Sequence, residues 1–319
     1  MLLIVLAVVA ANVALPGGTL RLAHFAVADE GLAARLRADI ESLPAGRAPG
    51  TPGHAAARIW LRTRLAEVDI DLMEHEESWP GRSGGSLWNL EAVLPGSDAS
   101  APIVMVTAHY DTVPGTPGAD DDGSGCVVLL EVARRLAREP VGAEVRLLWF
   151  DGEERGLLGA LRYVQSLSGA TRHRIVGVIN LESVGYTNFA AGSQRLPSGV
   201  SKVFDPGDAG DFILLVSNLA SRPVHQRVAA SFRAAWSGPT RVEDVGWIPG
   251  NGWVLPDIRR ADHAPFWDAG IPAVLVTDTA DFRNPHYHRW SDAIDTLDFD
   301  FMAAVAAGTE RSVRELSQR

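Results

Sequence analysis

IVMVTAHYDTVPGTPGADDDGSGCVVLLEVARRLA, residues 103–137, passes from an apolar run through a polar turn-rich segment into a helical pattern. Ile103 to Ala108 has the continuous β-branched and aliphatic character of a strand buried on both faces. The segment from Ser124 to Ala137 has apolar positions at helical spacing. Between them lie His109, Asp111 and the triplet Asp120, Asp121, Asp122, so acid and imidazole groups follow a strand end. Loops beyond strand ends are where open α/β sheets put their chemistry.

Working outward, the same pattern recurs. Strands are predicted over Leu87 to Leu94, Val145 to Phe150, Ile175 to Leu181, Phe212 to Ser217 and Ala273 to Asp278. Helices are predicted over 28–43, 53–67, Leu157 to Ser166, Arg222 to Trp236 and Phe301 to Leu316, the last with Asp298 or Asp300 near its N-terminus. Strands alternating with helices predict an α/β fold: a mixed, mostly parallel central sheet flanked by helices on both faces. Glu153 and Glu154 follow one predicted strand and Glu182 ends another. With His109, Asp121 and His288 they make an ordered set of potential metal ligands and a neighbouring acid. Three carboxylates and two imidazoles brought to one point repel and lose hydration unless cations join them. Two divalent ions would leave such a site near a charge of about +1, which a bound hydroxide could neutralise.

Composition narrows the class. The chain has 319 residues, 46% hydrophobic and 21% charged, enough for a large core. A net charge of −10, with no clustered Lys and Arg, argues against a nucleic-acid partner. Cys126 is the single cysteine and excludes an intramolecular disulfide. The uncharged start MLLIVLAVVAANVAL before Pro16 has the character of an export signal core or membrane anchor, although no basic residues precede it and it is short of the about 20 residues of a bilayer span. The expected organisation is a leader over 1–18 and one domain over 28–319, exported or membrane-anchored, with membrane association through the leader only. Residues 186–261, rich in Gly, Pro and Ser, are expected to form a wall or lid over the site, or a peripheral insertion.

Taken alone, each motif has a plain reading: a polar turn for HYD, a helix cap for DDD, a solvated pair for Glu153 and Glu154. Together and in order, HYDT, PGADDDGSG, FDGEERGLLGA, INLESVG, DHAPFWDAGIPAV and RNPHYHRWSDAIDTLD resemble the M28 family of zinc aminopeptidases, as do GRAPGTPG and NLEAVLPG. The resemblance runs from about residue 46 to 300. It implies the zinc-dependent exopeptidase fold and two Zn²⁺ per chain, with His109 and Glu182 on one, Glu154 and His288 on the other, and Asp121 bridging. The match alone selects Asp121 from its triplet and His288 over His286. It makes Glu153 the general base that takes a proton from a water and passes it to the leaving amine. Tyr287 is an expected donor to the developing oxyanion or a packed aromatic, and Asp111 and Asp292 are the expected supports of His109 and His288. His263 is expected to build the pocket. Glu182 stands where many members carry Asp.

The implied activity is hydrolysis of N-terminal peptide bonds in a peptide or small aminoacyl substrate. Trp236, Trp247 and Trp253 are candidates for an apolar side-chain pocket. Competing readings are a single-zinc glutaminyl-cyclase-like acyltransferase and a noncatalytic binding ectodomain of the same fold.

Overall fold

The computed structural model describes residues 31–78, 86–197, 200 and 204–318; the apolar leader lies outside them. Eight strands form one mixed sheet in the order β1-β2-β4-β3-β5-β8-β6-β7. They are β1 (Leu72–Ser78), β2 (Ser86–Leu94), β3 (Ile103–His109), β4 (Glu144–Phe150), β5 (Ile175–Glu182), β6 (Phe212–Asn218), β7 (Arg241–Ile248) and β8 (Ala273–Thr277). The middle four, β4-β3-β5-β8, run parallel; β1, β2 and the β6–β8 pairing add antiparallel edges. Among the described residues the α-helices are α1 (Leu32–Ser42), α2 (Pro52–Ala66), α3 (Gly125–Arg138), α4 (Leu158–Ser166), α5 (Gly169–Arg174), α6 (Arg222–Ala235), α7 (His263–Asp268) and α8 (Phe299–Leu316).

The strand period sorts the core into two layers. Along β3, Val104, Val106 and Ala108 join one hydrophobic cluster with α1, α2, α3, α6 and α8, while Ile103 and Met105 join a second with α4 and α7. Every β3 residue is buried, as a strand covered on both faces must be. Asp298 caps α8, accepting from Phe301 N at 3.0 Å. No described helix is long and apolar enough to cross a membrane.

The stretch 186–261 is not a separate insertion. It supplies β6, α6 and β7, which extend the main sheet and pack on α8. Parts of it, among them Leu196, Phe204, Leu214, Val216, Trp247 and Ile258, line a cleft over the sheet edge. Of its tryptophans, Trp247 lines that cleft. Trp236 packs on Phe232 and Phe301, and Trp253 is exposed with Arg259 over its ring, so neither builds the pocket.

Candidate metal centre

Three adjacent parallel strands deliver the polar groups to one edge. β3 ends on His109, β4 runs into the turn carrying Glu153 and Glu154, and β5 ends on Glu182. The loop after β3 returns Asp121, and the segment before α8 brings His288. His109 Nε2 lies 3.1 Å from Asp121 Oδ1 and 3.5 Å from Glu182 Oε1. His288 Nε2 lies 3.0 Å from Asp121 Oδ2 and 3.1 Å from Glu154 Oε2. Two triads result, His109-Asp121-Glu182 and Asp121-Glu154-His288, each with its ligand atoms within 4.8 Å of one another.

The adjacent aspartates are distinguished by their partners. Asp120 accepts from Gly185 N and Asn284 Nδ2, at 2.9 and 2.7 Å. Asp122 accepts from His109 N, Gly125 N and Ser183 N, which knits β3, α3 and the end of β5 together. Asp121 has no hydrogen-bond donor on either oxygen among the described residues, and it faces both imidazoles. The histidine pair divides in the same way, since His286 Nδ1 meets Ser291 Oγ at 3.0 Å. Buried, and facing one another with no other hydrogen-bond partner among the described residues, His109 Nε2, both Asp121 oxygens and Glu182 Oε2 form a donor set of the borderline type that zinc takes.

The electrostatics agree. Burial and neighbouring acids push Glu153 well above the usual carboxylate range and Glu182 to about 6. Burial opposes charge on His109, yet Glu182 and Glu153 outweigh it and hold the imidazole well above normal. His288 is lifted to about 10 against burial by Asp121 and Glu154. The cluster therefore draws positive charge.

Support comes partly from expected residues. Asp111 receives Glu153 N at 3.1 Å and Glu154 N at 3.4 Å, while its backbone carbonyl lies 3.2 Å from His109 Nδ1. Asp292 does not support His288. Its carboxylate accepts from Asp120 N and Asp121 N, at 2.9 and 3.2 Å, and so holds the bridging loop. Its position in the turn after His288 carries it across to that loop. Tyr287 stacks on His288, ring centroids 3.8 Å apart, and its hydroxyl receives Arg260 Nη2 at 3.3 Å. His263 is buried against Trp267 at the base of α7. Cys126 donates Sγ–H to the His109 carbonyl at 3.0 Å from behind the site.

Sequence reasoning missed Asp262, 1% exposed with neither oxygen hydrogen-bonded among the described residues, whose charge bears on Glu153. It also missed Arg47 and His54, which hold the ligand loops. Their only signal was the turn motif GRAPGTPG.

Comparison with known proteins fits this geometry. The chain is 33% identical over 236 residues to the uncharacterized protein YfbL of Escherichia coli K12, covering 71% of this chain and 70% of that one. It is 34% identical over 199 residues to aminopeptidase YwaD of Bacillus subtilis, covering 61% of this chain but only 37% of the relative. Among solved structures, the zinc aminopeptidase BSAP from Bacillus subtilis superposes with a TM-score of 0.68 at 18% identity, covering 89% of this chain and 95% of the other. The Porphyromonas gingivalis glutaminyl cyclase gives 0.66 at 20%, covering 89% and 98%. At such identities these two share the fold and no more. The model of peptidase family M28 matches residues 89–211, and with the strand-end acid and imidazole cluster in place, the chain belongs to this family of zinc metallopeptidases.

Proposed function

We propose that this chain is a two-zinc aminopeptidase. The observation that carries the reading is Asp121, a buried carboxylate with no other partner, shared between two complete ligand triads. His109 and Glu182 would hold one ion, Glu154 and His288 the other, and Asp121 both. The ions would polarise the scissile carbonyl and acidify a water between them.

Glu153 is the proton carrier. Its backbone N–H is fixed by Asp111, and its Oε2 lies 4.0 Å from His109 Nε2, beside the triad without belonging to it. Its raised affinity for a proton suits a group that takes one from water and delivers it to the leaving amine. Tyr287 accepts from Arg260, and no described residue takes its own O–H, which leaves that proton for the substrate oxygen. Glu153 and Glu182 supply the negative charge that a substrate ammonium would pair with.

A cleft opens beside Glu182 and Tyr287. Its walls carry Phe204, Leu214, Val216, Trp247, Ile258 and Leu275, a lining that favours a large apolar N-terminal side chain. The name of the relative YwaD, an aminopeptidase, supports action at N-termini. A single-zinc glutaminyl cyclase has support from the shared fold, but the His109 triad argues for a second ion. The apolar start would export or anchor the chain, testable by cell fractionation.

The test is a zinc count paired with assays on free aminoacyl, N-blocked and N-terminal Gln substrates. Two zinc per chain and cleavage of free N-termini alone are expected. One zinc with Gln cyclisation gives the cyclase, and equal cleavage of blocked peptides removes the aminopeptidase reading.

A further inference from the structure

The segment GRAPGTPGH, residues 46–54, lies outside the stretch that the family model matches and has no part in the proton chemistry above. Its side chains nevertheless reach both ligand loops. Arg47 is 1% exposed and uses its guanidinium on backbone carbonyls: Nε donates to Tyr110 O and Nη2 to Gly118 O, each at 2.7 Å, while Nη1 donates to Pro117 O at 3.2 Å and Pro44 O at 3.3 Å. Tyr110 follows His109 directly, and Gly118 stands three positions before Asp121. One side chain, 63 and 71 residues away in sequence, thus pins both ends of the loop that joins two ligands of the same triad. Only a planar fork with several donors can serve both ends at once.

His54 reaches the other loop. Its Nε2 lies 3.0 Å from Asp151 Oδ2, and Asp151 opens the turn that carries Glu153 and Glu154. The same imidazole stacks on Tyr110, with centroids 5.0 Å apart and planes at 19°. The segment is itself locked. Thr51 Oγ1 donates to Ala48 O at 2.7 Å and accepts from His54 N, and a Cβ on Gly53 would meet Ala45 O at 2.3 Å.

We infer that residues 46–54 are a strap that positions both metal sites, Arg47 fixing the His109-to-Asp121 loop and His54 the Glu153–Glu154 turn, so that docking of the α1–α2 arm and zinc binding are coupled. The inference rests on the two-zinc reading of the site. Coupling of this kind is reciprocal: whatever the strap adds to zinc affinity, zinc returns to the strap. A strap that only anchored α1 and α2 would hold equally well with or without zinc.

The experiment uses the full chain and four variants: Arg47→Met, Arg47→Lys, His54→Leu and, as a control at an exposed position of α2, Ile59→Ala. Zinc affinity is read by chelator competition, folding by circular dichroism, and backbone hydrogen exchange with and without chelator. Arg47→Met and His54→Leu are expected to keep the fold and weaken zinc binding about 10–100-fold, the range for residues that hold ligands in place. Arg47→Lys falls between them and wild type, and Ile59→Ala does not change. In wild type, chelation is expected to speed exchange across 44–54 as well as in the ligand loops. Unchanged affinity in the Arg47 and His54 variants, or exchange at 44–54 that ignores zinc, overturns the strap. Should Arg47→Met fail to fold, Arg47→Lys decides. Wild-type protein that binds no zinc overturns the two-zinc reading and the strap with it, whereas two tightly held zinc ions in wild type and variants alike overturn the strap alone.

Discussion

Asp121 Oδ2 lies 3.0 Å from His288 Nε2, across 167 residues of chain, while the other oxygen of the same carboxylate faces His109. Neither neighbouring aspartate can replace this contact, because Asp120 and Asp122 are held by backbone and amide donors. Asp121→Asn is therefore expected to lose at least one zinc equivalent and about 100-fold or more in kcat/KM. Metal analysis of the dialysed variant checks this, and two retained ions would contradict the bridge.

Glu153→Gln separates proton transfer from metal binding. The amide keeps the shape but cannot carry a proton, so zinc content should stay at the wild-type level while kcat falls by about 10²–10⁴. A noncatalytic binding protein would show no such loss.

Removal of metal should loosen the whole sheet edge, since the ligand groups come from β3, β4 and β5 together. With free zinc at about 100 times its Kd, each site stabilises the fold by roughly 2.7 kcal/mol. Chelation is expected to lower Tm by roughly 5 °C or more in calorimetry. An unmoved Tm would speak against ions at this edge.

The cleft makes a prediction about selectivity. Leu214→Trp on β6 fills space beside Val216 and Leu275 and should reduce the preference for Leu over Ala at the substrate N-terminus by about 10-fold, with activity on Ala kept. Parallel kcat/KM values for the two aminoacyl substrates decide it.

His263 gives a pH dependence. Burial holds its imidazole down at about 3, against 6.5 in an unfolded chain. Between these values the unfolded state binds a proton that the folded state refuses, so stability is complete above pH 6.5 and declines towards pH 3, at about 1.4 kcal/mol per pH unit. Urea midpoints taken at pH 7, 6 and 5 in chelator should slope less steeply for His263→Leu than for wild type. Parallel slopes would show that the imidazole is not held neutral.

The interior of the sheet was legible because buried parallel strands read as continuous apolar runs; β3, β4, β5 and β8 fall within a residue or so of their expected limits. The two strands that escaped, β1 (LMEHEES) and β7 (RVEDVGWI), are the two edges of the sheet. Edge strands are half solvated and carry charges, which erases the apolar signal that reveals a strand. His109, Glu154 and Glu182 were legible because they end or follow strands, while the family resemblance picked out Asp121 and His288. Arg47, His54 and the true partners of Asp292 were not, since these contacts run to backbone groups or acids far along the chain, and local sequence has no mark for them.

Cys126 lies against the His109 carbonyl, fully buried between β3 and α3, with its thiol pushed far above normal by burial. An alkylating dye finds no thiolate there until strand and helix part. The chain thus carries a built-in clock: the rate at which that single thiol is labelled times the opening of the catalytic edge, with no residue substituted.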